Sequence, residues 1–373
     1  MKFVISRLHL LNGLNTAARA VSPKNPNPLL TGLRLSLNDA GLSITGSDSD
    51  VTIVTTIPTH HLGENIIRSS VEGTVLVSSK YITEVVRKLE GERLEVELLD
   101  NAVLKISDAS SDYNLNVMKW EDYPPVDQKV DGQVIELRTE DLRSIINQTV
   151  FAASQKDARP ILTGVNFRCV DNKLDCVATD SYRLAKKTVT LSTSANFNVT
   201  LPAKSLSDVG KIIDGVDSVE MGISDKRVVV RMPFTHISTR VLSGTYPDTS
   251  KLIPASYENE LNTLSQNLIA AVDRAALLSI ERQNVVKLSL DKEKVEVSAR
   301  SHEIGSYLEH INHFTYKGSR LEVSFTANLL ADAIRALGTE EVTIKLNGDM
   351  KPFIIVSRED ESVVHLVLPV RTY

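Results

Sequence analysis

The sequence predicts an α+β protein made of three tandem domains, each consisting of two strand-helix-three-strand units. Three observations carry this prediction. A short motif is written twice, as PLLTG at residues 28–32 and as PILTG at 160–164. The hydrophobic spacing changes repeatedly between the period of a strand and the period of a helix. Two stretches rich in proline and charge, EDYPPVDQKVDGQ and GTYPDTSKLIPASYENE, divide the chain into domains 1–125, 126–254 and 255–373.

The repeated motif belongs to a longer internal duplication. Laid over each other without a gap, residues 28–49 and 160–181 share 8 identities in 22 positions. The identities are Pro28/Pro160, Leu30/Leu162, Thr31/Thr163, Gly32/Gly164, Asp39/Asp171, Leu42/Leu174, Asp48/Asp180 and Ser49/Ser181. Most other positions keep their apolar or polar character, which indicates two copies of one structural unit.

The first domain shows both of its units clearly. It opens with an alternating strand, MKFVIS, and a helix, RLHLLNGLNTAARAVS, whose apolar face would hold Leu8, Leu11, Leu14, Ala18 and Val21. The loop SPKNPNP ends this helix, and three strands follow in LTGLRLSLND, AGLSITGSDSD and VTIVTTIP. The second unit consists of TVLVSS, the helix SKYITEVVRKLEG, and the strands ERLEVELLD, NAVLKISDASS and DYNLNVMKW.

The other two domains follow the same order. The central domain has VIELRT, the helix EDLRSIINQTVFAAS and the strands around PILTG, then NVTLP, the helix AKSLSDVGKIIDG and three more strands. The last domain has the helices LSQNLIAAVDRAALLS and ANLLADAIRALG, each followed by three strands. Antiparallel sheets usually bury one face, so we expect each domain's two helices to lie side by side on the outside of the sheets.

Composition limits the class of protein. The chain has 373 residues, a net charge of −5 and two cysteines. Cys169 and Cys176 are expected to face each other across a hairpin turning at Asn172 and Lys173, as reduced core thiols rather than a disulfide. The N-terminus does not have the pattern of a signal peptide, and no long apolar run is present. We therefore expect a soluble cytoplasmic protein with no membrane span.

Positive charge recurs at matching places of the units, although the whole chain is acidic. The loop after the first helix carries Lys24 in the first domain, and Lys156 and Arg159 in the second. The helix faces opposite the apolar stripes also carry cations: Arg7, Arg19, Lys80, Arg87, Lys88, Arg143, Lys204, Lys211, Arg274 and Arg335. Such residues can contact phosphates without reading bases. For any single helix, an ordinary solvated surface remains the alternative.

Signals of catalysis and metal binding are weak. The chain has no GxSxG motif, no Walker loop and no GxGxxG motif. His310 and His313 have a spacing seen in metal sites but lack a clear third ligand. Asp48 and Asp50 lie at a strand end, where turn chemistry explains them. We therefore expect no metal, no cofactor and no catalysis.

Several motifs together resemble a known family. They are the PLLTG/PILTG pair, TDSYRLA at 179–185, TYPDTSKLIP at 245–254 and the ending LPVRTY. Over its whole length the sequence resembles the bacterial sliding clamps, the beta subunits of DNA polymerase III. The resemblance implies a head-to-tail homodimer whose six domains close into a ring, with helices lining a pore for double-stranded DNA. It further implies a non-catalytic processivity factor in a holoenzyme associated with 3'-5' exonuclease activity, opened by a separate ATP-driven loader.

The resemblance also assigns functional residues. The DNA-facing candidates are Lys24, Lys80, Arg87, Lys156, Arg159 and Lys204. The dimer interface would join Tyr113 and Leu115, on an edge strand of domain one, to Leu277 and Leu278, on a helix of domain three. Partners, namely the replicative polymerase alpha subunit, the clamp loader and other clamp-motif proteins, would insert a short peptide into a groove. The groove residues are Leu162, Thr179, Tyr182, Arg183, Leu184, Pro247, Leu252, Leu368, Pro369, Val370 and Arg371.

Two departures from the family pattern affect this groove. Some members have Gly-His where this chain has Ser181 and Tyr182, and some end in Met-Pro-Met-Arg where it has Leu368 to Arg371. We expect the groove to persist with a different fine shape, because valine cannot adapt as methionine does.

Two other functions stay open from the residues alone. One is a monomeric, triplicated module that binds sugars or proteins, which exposed aromatic clusters would favour; the aromatic content is only 5%. The other is a metal-dependent hydrolase using His310, His313 and the pair Asp48 and Asp50.

Overall fold

The structure, a computed structural model, describes residues 1–100, 102–126, 132–156, 158–279 and 284–371. All six predicted units are present, each as one strand, one helix and three strands. The helices within the described ranges are α1 (Arg7–Ala18), α2 (Ser79–Lys88), α3 (Thr139–Thr149), α4 (Ala203–Gly210), α5 (Ser265–Ala276) and α6 (Ala327–Leu337).

The strands follow the three thirds of the chain. The first third has β1 (Lys2–Ser6), β2 (Gly32–Asn38), β3 (Gly41–Ser47), β4 (Val51–Pro58), β5 (His60–His61), β6 (Glu64–Asn65), β7 (Ile67–Val71), β8 (Gly73–Ser78), β9 (Arg93–Leu99), β10 (Val103–Ser107) and β11 (Asp112–Met118). The central third has β12 (Gln133–Arg138), β13 (Gly164–Val170), β14 (Lys173–Thr179), β15 (Arg183–Thr190), β16 (Phe197–Pro202), β17 (Ser218–Ile223), β18 (Arg227–Arg231) and β19 (Thr235–Arg240). The last third has β20 (Asn259–Leu264), β21 (Val285–Leu290), β22 (Val295–Ser301), β23 (Gly305–His310), β24 (Phe314–Lys317), β25 (Leu321–Thr326), β26 (Glu341–Leu346), β27 (Phe353–Val356) and β28 (Val363–Val367).

These elements form two compact bodies, which follow the sheets rather than the sequence repeats. The first body, residues 1–139 and 208–241, holds a 13-stranded sheet in the order β12-β17-β18-β19-β4-β3-β2-β8-β11-β10-β9-β1-β7. The second body, residues 140–207 and 242–373, holds a 9-stranded sheet in the order β16-β13-β14-β15-β28-β27-β26-β20-β24 and a 4-stranded sheet in the order β23-β22-β21-β25. The strands β5, β6, β7 and β24 were not predicted.

The predicted apolar face of α1 packs against the core except at Leu8: Leu14 is buried, and Leu11, Ala18 and the following Val21 are partly buried against the core. Leu10, Leu14 and Ala17 are buried, whereas Leu8 is 61% exposed. The helix approaches the sheet so closely at Gly13 that a Cβ atom there would lie 2.9 Å from Cδ1 of Ile57. The fully buried stripe of Leu10, Leu14 and Ala17 also has helical spacing and overlaps the predicted face at Leu14, so the centre of the buried face is rotated slightly from the predicted one.

All six helices end earlier than predicted, and after four of them, α1, α3, α4 and α5, the chain tightens into turns. The backbone N–H groups of Val21, Ile212 and Ser279 donate to carbonyls three residues back, at 3.0, 2.9 and 3.1 Å. A short 3₁₀ turn follows α3 in the same way. Leu277 and Leu278 consequently lie in a turn directly after α5, and their predicted position on the helix is wrong.

The cysteine hairpin differs from its prediction by register. Cys169 lies opposite Leu174 and Cys176 lies opposite Phe167, so the two thiols do not face each other. The chain turns at Asp171 and Asn172, one residue earlier than predicted, with Asp171 in the left-handed region at φ 56°. Both cysteines are free and buried, and burial raises the pKa of each thiol.

Candidate functional site

The six predicted DNA-contact residues are all exposed, each on the surface of the body to which it belongs. Lys24 lies in the loop after α1, and Lys156 and Arg159 lie in the matching loop after α3. Lys80 and Arg87 lie on α2, and Lys204 lies on α4. The matching of the two loops extends to the turns that follow them. The hydroxyl oxygens of Thr31 and Thr163 donate to the carbonyl oxygens of Pro28 and Pro160, both at 2.7 Å.

The positive charge of α2 is moderated by its neighbours. Arg87 pairs with Glu84 on the same helix, and its Nη2 also donates to Oδ1 of Asn15 on α1 at 3.4 Å. The Nζ atom of Lys80 lies 5.6 Å from the centroid of the Tyr81 ring. The helix pair α1 and α2 therefore presents a weakly positive surface rather than a dense cationic one.

Two other helix cations are held by carboxylates in the second body. Arg274 donates from Nη2 and Nε to the two carboxylate oxygens of Glu309 at 2.6 and 2.9 Å. These bonds raise the pKa of Arg274 and lower the pKa of Glu309. Arg335 donates to Oδ2 of Asp273 at 2.6 Å, joining α6 to α5. These two arginines are thus less available to a ligand than the loop lysines.

A sharp turn recurs at the two ends of the internal duplication. Oδ1 of Asp48 accepts hydrogen bonds from the amides of Asp50 and Val51, at 3.1 and 2.8 Å. In the other copy, Oδ1 of Asp180 accepts from the second and third amides after it, both at 2.9 Å. The serine after each aspartate has a left-handed backbone, with φ 83° at Ser49 and φ 77° at Ser181. Turn chemistry thus accounts for the aspartates.

In the second body, four of the predicted groove residues, Thr179, Tyr182, Arg183 and Leu184, lie at this turn and the start of β15. The amide of Thr179 donates to the hydroxyl oxygen of Tyr246 at 3.0 Å, and the Thr179 hydroxyl donates to the carbonyl oxygen of Arg183 at 2.6 Å. Burial raises the pKa of Tyr246. Arg183 bonds to Asp180 at 3.1 Å and to Asp332 at 2.8 Å. Its guanidinium is therefore fixed in place beside the turn.

An apolar cluster lies next to these polar groups. Leu184 on β15 pairs with Leu366 on β28, which pairs in turn with Ile354 on β27. Together with Val177 these residues form a small buried cluster, separate from the main core of the second body. Partly buried apolar side chains surround it: Tyr246, Ile253, Tyr257, Val356, Val364 and Leu368. The arrangement provides an apolar floor with polar groups at one end.

Backbone hydrogen bonds tie the end of the described chain to the turn beside this cluster and to β25. The amide of Leu368 donates to the carbonyl oxygen of Tyr182 at 2.9 Å. The amide of Val370 donates to the carbonyl oxygen of Ser324 at 2.7 Å. Leu368, Pro369 and Val370 are half-buried, and Arg371 is exposed. The segment after β28 thus runs along the second body instead of leaving it.

The remaining groove residues have different surroundings. Leu162 is buried in the turn before β13 and is not part of the apolar cluster. Tyr182, Pro247 and Leu252 are exposed. The sequence reasoning predicted Leu184 and Leu368 but missed the other apolar members, namely Val177, Ile354, Leu366, Tyr246, Ile253, Tyr257, Val356 and Val364. The alternating apolar residues of SVVHLVLPV were the available signal, since they place Leu366 and Leu368 on the same face of a strand.

The predicted interface residues lie on partly open surfaces. Residues 112–116 of β11 pair only with β10 within the described part of the chain, because β8 pairs with β11 only at Val117 and Met118. Tyr113 is 40% exposed and Leu115 is half-buried. Leu277 is 68% exposed, whereas Leu278 packs against the core of the second body. The two leucines therefore differ in how much surface they offer a partner.

The described residues contain no group of three or more side chains suited to hold a metal ion. Nδ1 of His310 lies 3.4 Å from the carboxylate of Glu296, and His313 occupies a left-handed turn at φ 58°. Across the same ranges, no helix is long and apolar enough to cross a membrane.

Comparison with protein families matches almost the entire chain to one family. The N-terminal domain of the DNA polymerase III beta subunit matches residues 1–127, its central domain matches 136–248, and its C-terminal domain matches 250–371. The chain therefore has three tandem domains of this family.

Individual relatives and solved structures agree along their full length. The chain is 36% identical to the beta sliding clamps of Staphylococcus epidermidis and of Bacillus subtilis, with complete coverage of both chains. Among solved structures, it resembles the Bacillus subtilis DNA polymerase sliding clamp at 35% identity and a TM-score of 0.95. The DNA polymerase III beta chain of Streptococcus pneumoniae matches at 31% identity and a TM-score of 0.95, again over all of both chains.

Proposed function

Because this chain belongs to the DNA polymerase III beta subunit family, the bacterial sliding clamps, we propose that it encircles double-stranded DNA as a head-to-tail homodimer. It is a DNA sliding clamp, a processivity factor for DNA polymerase that performs no catalysis of its own. One observation carries this conclusion: three clamp domains follow one another over the full length of the chain, as in its relatives. We propose that the protein acts in the cytoplasm, where bacterial chromosomes are copied.

The exposed cations suit a protein that slides. Contacts between cations and phosphates are independent of sequence and weaken with salt, so a moderate number of them allows movement along the duplex. Lys24, Lys156 and Arg159 lie on matching loops, and Lys80, Arg87 and Lys204 lie on helices. Retention would then come from the closed ring rather than from a tight site. We assign DNA contact to these six residues.

The apolar cluster and its polar rim suit an extended peptide. An apolar floor that includes Leu184, Leu366 and Leu368 can bury two or three anchor side chains. Thr179 and Arg183 are fixed by hydrogen bonds and can orient the peptide backbone. We propose that the replicative polymerase alpha subunit, the clamp loader and other clamp-motif proteins insert such peptides here. Leu162, Tyr182, Pro247, Leu252, Pro369, Val370 and Arg371 complete the proposed groove.

The open half of β11 and the exposed leucine after α5 suit ring closure. A heterologous contact closes into a ring when the first domain of each chain meets the third domain of the other. Tyr113 and Leu115 would supply one side of this contact, and Leu277, with part of Leu278, the other. The corresponding domains would span 1–125, 126–254 and 255–373.

Retention on closed and open DNA tests the clamp function. The protein would be loaded onto nicked circular duplexes with a clamp loader and ATP, then washed with salt. We expect it to remain on the circles and to leave within minutes once the circles are cut to lines. Retention that is equal on circular and linear DNA would mean an ordinary affinity site and would overturn the clamp assignment.

A blocked linear duplex provides the matched control. A bulky protein bound at each end should restore retention after cutting, because the ring can then no longer slide off. Loss of the protein from end-blocked DNA would mean that cutting had released it by another route.

A further inference from the structure

We infer that the first body contains a counterpart of the peptide groove whose apolar lining is replaced by hydroxyl and basic side chains, and that this replacement confines partner peptides to the second body. The inference rests on the proposed peptide groove and concerns its specificity.

The two sites share one arrangement of strands. In the second body β14, β15, β28 and β27 are consecutive, and in the first body β3, β4, β19 and β18 are consecutive. Leu184 pairs with Leu366, which pairs with Ile354. At the matching positions Thr52 pairs with Ser238, which pairs with Val229. The internal duplication and the strand registers therefore give the same correspondence.

The turn beside each site is also the same at the level of single hydrogen bonds. The hydroxyl of Ser47 donates to the carbonyl oxygen of Val51 at 3.1 Å, as that of Thr179 does to Arg183 at 2.6 Å. Each hydroxyl oxygen also accepts from the amide two residues on, at 3.2 Å in both copies. The four strands and the turn of the groove are thus present twice, with different side chains on them.

Three of the four matched floor positions of the counterpart are polar, and the fourth, Val229, stays apolar. Thr45, Thr52 and Ser238 stand where the groove has Val177, Leu184 and Leu366, and all six side chains are buried. The hydroxyl of Thr52 lies 2.8 Å from that of Ser47. Nη1 of Arg227 donates to the Ser238 hydroxyl oxygen at 2.8 Å. The hydroxyl of Thr52 is therefore already engaged with that of Ser47, and the hydroxyl of Ser238 with a guanidinium.

The side chains around the floor of the counterpart are also polar or charged where those of the groove are apolar. Arg231 and His236 take the places of Val356 and Val364, and Arg240 takes the place of Leu368. An apolar anchor entering here would separate polar groups from water and from one another without restoring their hydrogen bonds. A leucine or phenylalanine side chain therefore gains nothing at the counterpart, although the backbone could accommodate it.

Peptide stoichiometry and position test this inference. The probe is a synthetic Gln-x-x-Leu-Phe peptide carrying a photoreactive phenylalanine, titrated by calorimetry and cross-linked to the full-length protein. We expect one peptide per chain, with all cross-links in the second body. A wild-type stoichiometry of two, or cross-links on β4 or β19, would overturn the proposal.

Exchanging the linings gives the sharper test. Giving the groove its counterpart's residues, Leu184→Thr with Leu366→Ser, should weaken binding at least about tenfold. In that background the reciprocal set Thr45→Val, Thr52→Leu, Arg231→Val, His236→Val, Ser238→Leu and Arg240→Leu should restore binding, with cross-links now on β4 and β19. A folded variant that binds nothing would show that other features exclude the peptide, and would overturn the proposal.

A smaller variant, Thr52→Leu with Ser238→Leu, serves if the full set fails to fold. It should raise first-body cross-linking at least about tenfold above wild type at the same peptide concentration. No increase would count against the inference. Failure of the wild-type protein to bind any peptide would instead remove the groove itself, a result distinct from failure at the counterpart.

Discussion

Replacing Leu277 with alanine should weaken the dimer without destabilising the chain. The side chain is 68% exposed on a single chain, so its truncation removes little that folding depends on. In the proposed ring it would be covered by the edge strand of the other chain. Leu278 is a poorer target, because it packs against the core of the second body. Its truncation would change both the dimer affinity and the stability of the chain.

The size of the effect follows from the exposed fraction and from the symmetry. Burying a whole leucine side chain contributes about 1.5–3 kcal/mol, so the exposed two thirds represent about 1–2 kcal/mol per interface. A head-to-tail ring of two chains has two identical interfaces, which doubles the effect to about 2–4 kcal/mol per dimer. At about 1.4 kcal/mol per factor of ten, the dimer dissociation constant should rise about 30- to 700-fold.

Sedimentation velocity over a range of protein concentrations measures this constant directly. Leu8→Ala is the matched control, since Leu8 is a similarly exposed leucine, at 61%, on α1, a helix that supplies none of the proposed interface residues. The control should dimerise like the wild type, and both variants should keep the wild-type melting temperature. A Leu277→Ala protein that is folded and dimerises with wild-type affinity would refute the interface assignment.

Three further predictions follow from the site. Deleting residues 369–373 should abolish binding of a clamp-motif peptide, because it removes the segment that closes the groove, while circular-DNA retention stays unchanged; fluorescence anisotropy measures the binding. Replacing Lys24 and Lys156 with glutamate should weaken binding to short duplexes and flatten its salt dependence, since two phosphate contacts are lost. Burial lowers the pKa of His365 to about 4, below the roughly 6.5 of an unfolded histidine. The unfolded chain therefore binds more protons between these values, so the free energy of unfolding should fall as pH drops from about 6.5 to about 4. His365→Gln should flatten that dependence in denaturant titrations.

Each of these three predictions has a control variant or a result that would contradict it. Deleting only residues 372–373 retains the Val370 amide bond to Ser324 and should keep peptide binding; undiminished binding after the longer deletion would place the site elsewhere. Lys294→Glu changes a lysine that already pairs with Glu296; a loss of DNA binding equal to that of the double variant would mean a general charge effect. An unchanged pH dependence in His365→Gln would show that other groups control acid stability.

The order of elements was predictable from the sequence because each unit carries its own local signals. Alternating strands such as MKFVIS and helices such as ANLLADAIRALG differ in period, and proline-rich loops separate them. All six units are accordingly present. The cations on the loops were also predictable in their exposure, because charged residues on short connections rarely become buried.

What the sequence could not fix depends on tertiary packing. The exact centre of the buried face of α1 lies where Gly13 closely approaches Ile57, a residue far along the chain, so local periodicity predicted the face only in part. The floor of the groove joins Val177 to Ile354 through strand pairings that no local pattern specifies. The division into two bodies likewise follows hydrogen bonding between distant strands, which cuts across the repeats.

The partly unpaired strand β11 offers a way to measure how often the proposed ring opens. Along residues 112–116, alternate backbone amides point away from β10 and have no strand partner within the described part of a single chain. In a free protomer these hydrogens meet water and exchange with deuterium quickly, whereas a closed interface would protect them. Their exchange rate in a dimer then reports how often the interface opens. Deuterium exchange at residues 112–116 would thus measure the rate of ring opening without an attached probe, a loader or DNA.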